Sequence, residues 1–374
     1  MQVAIVAPVD PLVEKPGGTR TYVMNLIDSL EESEIDFSLV GVDFDKTDGN
    51  PSFEFVPAVV SSRVSSMKFL RGLMKVAKKI AFPKSTIIHA QRPDHLFPFQ
   101  FRDHPAKKLC TLHGQMSRSV KERRGIFYGY SYDKLESYSL KRVDHVIAVD
   151  ETTLDQFVTK YPFLSEKSSL IPVGIDIDAW KPRDRVASRK RFGFADQERI
   201  ALYVGRLEKE KRVDLLIESI PSISGRENCS LVVVGDGTLR KNLETLSERT
   251  APGRVRFMGF QPTEAVRELM GASDVFCLAS DFESGPLVVL ESLASGTPVV
   301  STDVGRVREF MPNSSTGRIV SQDTEAFANA VVEVLRIERH EMSTKCIERV
   351  RNFSFQKTFE ETVRVYENLS RRSK

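Results

Sequence analysis

One stretch, residues 275–300, limits the fold of this chain more than any other. Residues 275–279, VFCLA, have the length and composition of a buried strand in a parallel sheet. A polar loop then leads to Pro286, and proline is favoured at the first position of a helix because its missing N–H would have no partner there. We therefore expect a helix that begins at Pro286. The free amides of Leu287 and Val288, together with the positive end of that helix, would form an anion site.

Two carboxylates bracket this predicted anion site. Glu283 lies in the loop before the helix, and Glu291 lies about one and a half turns into it, since an α-helix has ~3.6 residues per turn. One carboxylate can therefore reach one end of a phosphorylated ligand while the other reaches the opposite end. Two solvated glutamates on a surface helix are the alternative, because glutamate is usually exposed.

This pattern resembles the C-terminal signature of glycosyltransferase family 4, the retaining nucleotide-sugar transferases of GT-B fold. The resemblance continues through residues 294–305, but Gly285-Pro286 stands where the family usually has an aromatic residue followed by glycine. The resemblance implies that Glu283 binds hydroxyls of the donor sugar and that Glu291 binds the nucleotide ribose. It also assigns neighbouring residues to the donor sugar, namely Ser284, Gly285 and Pro286, and to the diphosphate, namely Leu287 and Val288.

The composition is that of a globular protein of two domains. The 374 residues are too many for one ordinary core, and apolar and charged fractions of 41% and 28% are typical of soluble domains. A net charge of +3 gives no general attraction to nucleic acid. The four cysteines have no metal-binding spacing, which favours reduced core residues in the cytosol. Met1 leads directly into a strand, and no apolar run reaches the ~20 residues that span a bilayer, so we expect a cytoplasmic protein.

Alternating strand and helix patterns over residues 1–180 predict a domain with a parallel sheet. Gly17 and Gly18 precede a helix, where glycines let backbone amides approach a phosphate. This pair resembles the glycine loop that faces the donor diphosphate in the same family, and it also fits an ordinary strand–helix turn. His89 and His113 end two predicted strands, at the edge where parallel sheets bind ligands. His113 matches the family's active-site histidine near the donor sugar, and a histidine satisfied by hydrogen bonds at a strand end is the alternative for both.

A basic loop follows the first strand pattern of the second half. In it, Arg206 and Lys211 resemble the family's diphosphate-binding pair, arginine as a bidentate donor and lysine as a point charge. Arg212 stands where the family usually has glycine, a departure that crowds the turn. A solvated run of charges is the alternative. Two further positions resemble the family's contacts with the nucleotide base: Gly235 and Met258.

The resemblance covers nearly the whole chain and implies a GT-B enzyme of two Rossmann-like domains, whose parallel sheets face each other across a cleft. We expect an acceptor domain over residues 1–180, a nucleotide-sugar domain over 181–352, and a C-terminal helix over 353–374 that crosses back to the first domain. The implied reaction transfers a hexose from a nucleoside diphosphate sugar to a hydroxyl acceptor, a glycan or glycolipid precursor, with retention of configuration. No cofactor and no metal are expected, because basic residues and helix amides can stabilise the leaving diphosphate.

The resemblance further implies front-face attack, in which the leaving phosphate takes the proton of the acceptor. The expected catalytic residues are Glu283, Arg206, Lys211 and His113. In this mechanism His113 positions the sugar or stabilises charge rather than acting as a base. A nucleotide-sugar epimerase of the same fold and a non-catalytic nucleotide-sugar-binding protein at a membrane are the alternatives. The sequence leaves the base, the sugar and the acceptor open.

A basic segment without acidic residues, 55–93, suggests a partner outside the active site. Its central part, from Met67 to Phe82, has apolar residues at helical spacing, as do helices that lie on membrane surfaces. Each exposed lysine or arginine near an anionic leaflet contributes about 1 kcal/mol. The segment therefore predicts peripheral attachment at the inner membrane face. The alternative is a solvated helix packed on its own domain.

Overall fold

The structure of the protein, a computed structural model, describes residues 1–15, 17–44, 51–102, 104–114 and 126–371. The chain forms two compact units, Met1–Val173 with Gln356–Lys374, and Gly174–Phe355. Each unit is built around a parallel sheet. This is the α/β organisation that the alternating strand and helix patterns predict.

The first unit contains a parallel sheet of seven strands among its described residues. The strands are β1 (Gln2–Val6), β2 (Asp36–Asp43), β3 (Glu54–Val60), β4 (Thr86–Ala90), β5 (Lys107–Leu112), β6 (His145–Ala148) and β7 (Ser168–Leu170). Their spatial order is β3-β2-β1-β4-β5-β6-β7, and the strands pair in parallel. The helices of this part of the chain are α1 (Gly18–Glu31), α2 (Ser66–Lys79), α3 (Pro93–Phe101), α4 (Ile126–Lys141) and α5 (Glu151–Lys160).

The central strand of this sheet, β4, and its neighbour β1 are buried on both faces. β4 is buried along its whole length, and β1 is buried from Val3 to Val6. Continuous apolar runs of this kind are expected where helices cover both faces of a parallel sheet. α1 contributes the apolar face that its spacing predicts, with the buried residues Tyr22, Val23, Leu26, Ile27 and Leu30.

α2 directs its apolar face into the first unit. Its buried residues include Phe69, Leu73, Val76 and Ala77, and the helix packs on α3 and β3. The exposed side of the helix is basic, with Arg71, Lys75, Lys78 and Lys79. The helix therefore packs on its own domain, as the alternative interpretation of this segment expects. Its apolar face is not free to enter a bilayer. Within the described part of the chain, no helix has the length and hydropathy needed to cross a membrane.

The second unit contains a parallel sheet of six strands in its own described residues. They are β8 (Arg199–Val204), β9 (Cys229–Val234), β10 (Val255–Gly259), β11 (Val275–Leu278), β12 (Val299–Thr302) and β13 (Gly317–Val320). Their order is β10-β9-β8-β11-β12-β13. The helices are α6 (Arg185–Phe192), α7 (Val213–Ser224), α8 (Arg240–Thr250), α9 (Thr263–Ala272), α10 (Leu287–Ala294), α11 (Val307–Phe310), α12 (Thr324–Arg336) and α13 (Arg339–Val350).

Two apolar clusters cover the two faces of this second sheet. Along β8, Ala201 and Tyr203 belong to one cluster, whereas Ile200 and Leu202 belong to the other. This alternation follows from the geometry of a strand, in which successive side chains point to opposite faces. The core therefore holds the strands firmly, and their carboxyl ends provide a fixed edge from which loops extend.

The last helix, α14 (Phe355–Arg371), belongs almost entirely to the first unit. Thr358 Oγ1 donates a hydrogen bond to the carbonyl of Pro172 at 2.8 Å. Farther along the helix, the Tyr366 hydroxyl lies 2.7 Å from Nδ1 of His89. The predicted return of the C-terminal helix to the first domain is thus confirmed.

Candidate functional site

The carboxyl ends of the strands in the second unit carry most of the predicted site residues. The loop after β8 contains Arg206 and Lys211, and the loop after β11 contains Glu283. Gly235 directly follows β9. Because parallel strands end at the same edge of a sheet, these loops lie side by side, at the edge where open α/β sheets bind ligands.

The helix that follows β11 begins one position later than the sequence suggests. α10 starts at Leu287, and Pro286 occupies its N-cap, so the expectation of a helix starting at Pro286 is wrong. The physical reason is its ψ of 94°, which is far from the helical value, so that the chain turns into the helix only after the proline. Leu287 and Val288 still occupy the first turn, where amides have no carbonyl partner inside the helix.

Lys211 and Glu283, predicted from separate motifs, are in direct contact. Lys211 Nζ donates to Glu283 Oε1 at 2.6 Å, and Ser280 Oγ donates to the same oxygen at 2.9 Å. The two side chains are only 16% and 18% exposed, respectively, so this is a partly desolvated ion pair rather than a solvated run of charges. The structure thereby brings the expected diphosphate-binding lysine to the expected sugar-binding carboxylate.

Arg206 lies at the same edge but is more exposed. Its Nη2 donates to Glu210 at 3.1 Å, and its side chain is 48% exposed. Its carbonyl accepts a hydrogen bond from the buried Tyr203 hydroxyl at 2.8 Å. Burial raises the pKa of Tyr203, the Glu283 carboxylate raises it further, and Arg206 opposes the rise. The charges of Glu283 and Arg206 therefore both act on the Tyr203 hydroxyl, which bonds to the loop after β8.

Glu291 is not the solvated surface glutamate of the alternative interpretation. It lies on α10 and is half-buried. Burial raises the pKa of Glu291 to about 7, although the guanidinium of Arg267 acts in the opposite direction. That guanidinium also lies over the Trp180 ring, 5.4 Å from its centroid. A carboxylate whose charge is disfavoured by its surroundings is stabilised by hydroxyl donors from a ligand.

Gly235 lies where two loops pack so closely that only glycine fits. It has a φ of 128°, and a Cβ built on it would lie 1.9 Å from the carbonyl oxygen of Gly205. Its amide donates to the Gly259 carbonyl at 2.8 Å. The expected contact of Gly235 with a nucleotide base stays a prediction. Met258 lies half-buried in β10, and its carbonyl accepts from Gln261 Nε2 at 2.8 Å.

The loop after β12 supports the expected sugar-binding residues, a role that sequence reasoning missed. A Cβ on Gly305, whose φ is 51°, would lie 2.5 Å from the Ser284 carbonyl oxygen, so this loop packs tightly beneath Glu283 and Ser284. A Cβ on Gly285 would meet Arg306 Cδ at 3.5 Å. Arg306 therefore lies beside Gly285, the position at which the family usually has an aromatic residue. Gly305 lies within the motif of residues 294–305, and no feature of the sequence singles out Arg306.

The glycine pair of the first unit is open. Gly17 is the N-cap of α1, and its carbonyl accepts from the Thr21 amide at 3.0 Å. A Cβ built on Gly17 or on Gly18 would have no atom within 4 Å. The space beside both backbones is therefore free, as a phosphate-binding loop requires.

His113 follows β5 in the first unit and is paired with a residue that sequence reasoning missed. Its Nε2 lies 2.9 Å from Oε1 of the buried Gln91, and the Tyr22 ring meets the imidazole edge-on at 4.9 Å. Burial lowers the pKa of His113 to about 4, so the imidazole is neutral near pH 7. Gln91 directly follows β4, and its position at a strand end is the feature of the sequence by which it could be identified as a site residue.

His89 has a structural role. It is fully buried, its Nδ1 lies 2.7 Å from the Tyr366 hydroxyl, and its Nε2 lies 2.7 Å from Thr111 Oγ1. Burial lowers its pKa to about 3. Of the two interpretations of this histidine, satisfaction by hydrogen bonds at a strand end is the one observed.

Two family models match the chain, one in each half. Residues 184–353 match the model described as glycosyl transferases group 1, and residues 16–179 match the model described as glycosyltransferase family 4. Together the matches span most of the sequence, and each falls mainly within one compact unit.

Known proteins extend this likeness to the whole chain. An uncharacterized glycosyltransferase of Methanocaldococcus jannaschii is 27% identical over 325 residues, which are 80% of this chain and 80% of that protein. Further curated relatives are matched over only 54% of their own length. Sucrose-phosphate synthase from Thermosynechococcus elongatus has a TM-score of 0.81 at 23% identity, covering 98% of both chains. Anabaena HepE in complex with UDP-glucose has a TM-score of 0.75 at 16% identity, covering 98% of this chain and 100% of that one. At these identities the solved structures show a shared fold.

Proposed function

Because the chain belongs to the glycosyltransferases, with the group 1 and family 4 domains and the GT-B fold, we propose that it uses a nucleoside diphosphate sugar. In this proposal it transfers a hexose to a hydroxyl acceptor, a glycan or glycolipid precursor, with retention at the anomeric carbon. The observation that carries the proposal is the contact of Lys211 with Glu283 beside the first turn of α10.

A diphosphate and a sugar match the chemistry of this contact. Lys211, Arg206 and the first amides of α10 are donors for phosphate oxygens, as in helix N-termini that bind anions. When a diphosphate takes over the lysine, a Glu283 oxygen is released to accept a sugar hydroxyl. Glu291 would then accept from the ribose. The UDP-glucose complex of the Anabaena protein supports a donor of this class, and uridine is the base we propose to test first.

The proposed step needs no protein base. The bond from the anomeric carbon to the phosphate oxygen breaks, a bond from that carbon to the acceptor oxygen forms, and the acceptor proton moves to the leaving phosphate. Negative charge grows on the diphosphate during this step, and fixed cationic donors stabilise it. The neutral His113 fits a hydrogen-bonding role toward substrate rather than proton donation.

We also propose that the step proceeds without a metal ion. The lysine, the arginine and the helix amides would supply the positive charge that a divalent cation supplies elsewhere. Activity should therefore survive complete chelation of divalent ions.

Peripheral membrane attachment is proposed in a form that the packing of α2 permits. Since the apolar face of α2 is buried, only its exposed basic residues can contact a bilayer, and the contact would be electrostatic. Such attraction falls off within a Debye length, ~8 Å at physiological salt. A lipid-linked acceptor at the inner face of a membrane is consistent with this surface.

The test is a donor screen followed by product analysis. Purified protein is mixed with UDP- and GDP-sugars, with and without acceptor and chelator, and the anomeric coupling of the first product is measured by NMR. Retained configuration in the presence of chelator supports the proposal. A changed sugar with donor alone would instead reveal an epimerase, and an inverted product would contradict the retaining mechanism.

A further inference from the structure

The loop after β8 contains a residue in a strained backbone conformation. Arg212 has a φ of 49° and a ψ of 41°, and within the described ranges it is the only non-glycine residue with a positive φ. A side chain in this left-handed region is disfavoured because its Cβ crowds a carbonyl oxygen. Strain of this kind persists only where surrounding contacts hold the backbone in place.

The side chain of Arg212 makes such contacts by bridging two loops. Its Nε donates to Asp214 at 3.2 Å, at the start of α7, and its Nη1 donates to Asp281 at 3.3 Å, in the loop after β11. Asp281 is anchored twice more. Its amide donates to the Glu210 carbonyl at 2.8 Å, and its carboxylate accepts from Gln322 Nε2 at 3.0 Å. The two loops are therefore joined through both backbone and side chains.

The joined loops carry the two residues proposed to meet the donor. Lys211 directly precedes Arg212, and Glu283 lies two positions beyond Asp281. We propose that Arg212 is a positioning residue that, by holding the loop after β11, sets the separation between Lys211 and Glu283. The inference rests on the proposed function, in which these two groups bind the diphosphate and the sugar.

The chemistry of arginine suits this bridge. A glycine would adopt the left-handed conformation without strain, so the side chain of Arg212 must offset the strain that it causes. Its planar guanidinium presents separate nitrogens to Asp214 and to Asp281 at the same time. A lysine, with one point charge, can hold only one of these carboxylates closely.

Arg212→Gly tests the role of the bridge separately from the stability of the fold, because it removes the backbone strain and the side chain together. We expect a melting temperature equal to or above that of the wild type, and a loss of about tenfold or more in kcat/KM for the donor, as expected when a reacting group is misplaced. Arg212→Lys should recover part of that loss. A melting temperature that falls in step with the activity would reveal a merely structural role and overturn the proposal.

Two aspartates provide a matched control. Asp214 and Asp281 both pair with Arg212 and are both 42% exposed, but only Asp281 lies in the loop after β11. Asp281→Asn should lower kcat/KM as Arg212→Gly does, and the double variant should be no worse than either single one. Asp214→Asn should retain wild-type kcat/KM. Equal losses in both aspartate variants would contradict the bridge.

Hydrogen exchange tests the bridge without any substrate. The Asp281 amide, bonded to the Glu210 carbonyl, should exchange faster in Arg212→Gly than in the wild type, and should be unchanged in Asp214→Asn. Unchanged exchange in Arg212→Gly overturns the bridge, and faster exchange with wild-type kcat/KM overturns the positioning role. Full turnover by Lys211→Ala would instead show that the proposed function of the site is wrong, whatever the exchange rates are.

Discussion

The carboxyl group of Glu291 should make donor affinity depend on pH. Burial holds its pKa at about 7, so that near neutral pH the free protein is a mixture of the acid and the carboxylate. The ribose hydroxyls of the donor are hydrogen-bond donors, and they favour the ionised form. Donor binding should therefore strengthen as the pH rises through 7, since a smaller share of the protein must first lose a proton.

The size of the effect follows from the pKa. With a pKa of about 7, about one tenth of the free protein is ionised at pH 6 and about nine tenths at pH 8, so the donor should bind about tenfold more tightly at pH 8. The same shift acts on folding with the opposite sign. A carboxyl whose pKa is raised on folding stabilises the protein fully below its unfolded value, ~4.5, and this contribution, at most about 3 kcal/mol, is lost as the pH rises through 7.

The assay is calorimetric titration with UDP-glucose between pH 6 and pH 8. Both phosphates of this ligand are esterified, so the ligand itself does not titrate in the window. Glu291→Gln is the matched control, because it keeps the shape of the side chain and removes the ionisation. We expect its affinity to be independent of pH and no higher than that of the wild type at pH 6. A wild-type affinity that does not change with pH, or a tenfold change that persists in Glu291→Gln, would refute the reasoning.

Three further predictions concern the other charges. Lys211→Ala should weaken UDP binding by about 1.5–3 kcal/mol, the range for a hydrogen bond to a charged group. Glu283→Ala should leave the affinity for free UDP unchanged and reduce turnover of the donor. Calorimetry measures the affinities and initial rates measure turnover, and equal losses of UDP affinity in the two variants would contradict the assignment. Gln91→Glu should raise the pKa of His113 by about one unit or more, because a carboxylate would face the imidazole, whereas Gln91→Leu should not raise it. NMR titration of the histidine measures both pKa values. Equal pKa values in the two variants would contradict the contact between Gln91 and His113. Neutralising Arg71, Lys75, Lys78 and Lys79 together should abolish sedimentation with phosphatidylglycerol vesicles while leaving donor affinity intact. Equal sedimentation with neutral vesicles would exclude an electrostatic contact.

Local patterns in the sequence were sufficient to predict the architecture and part of the site. Alternating apolar strands and amphipathic helices require parallel sheets, and parallel strands end at a common edge. The loops with Lys211 and Glu283 could therefore be assigned to one edge, and the structure shows these two side chains in contact. The start of α10 was misplaced by one residue because Pro286 fits both the cap and the first turn of a helix.

The segment of α2 shows what an apolar pattern in the sequence cannot distinguish. Its apolar spacing is the same whether the partner is a lipid surface or the protein core, because both remove the same face from water. Only the packing of Phe69 and Leu73 inside the first unit distinguishes them. Gly235 is a second example, because only the structure shows that it lies against the Gly205 carbonyl.

The sequence by itself determined which residue types stand at the ends of the strands, because strand and helix periodicity is a local property of the chain. The tertiary structure alone decided which of those residues touch. His89 meets Tyr366 although the two are 277 positions apart, and Arg212 reaches Asp281 across 69 positions. Such contacts depend on strand order and on the path of each loop, which are set by the packing of the whole unit rather than by any short stretch of sequence.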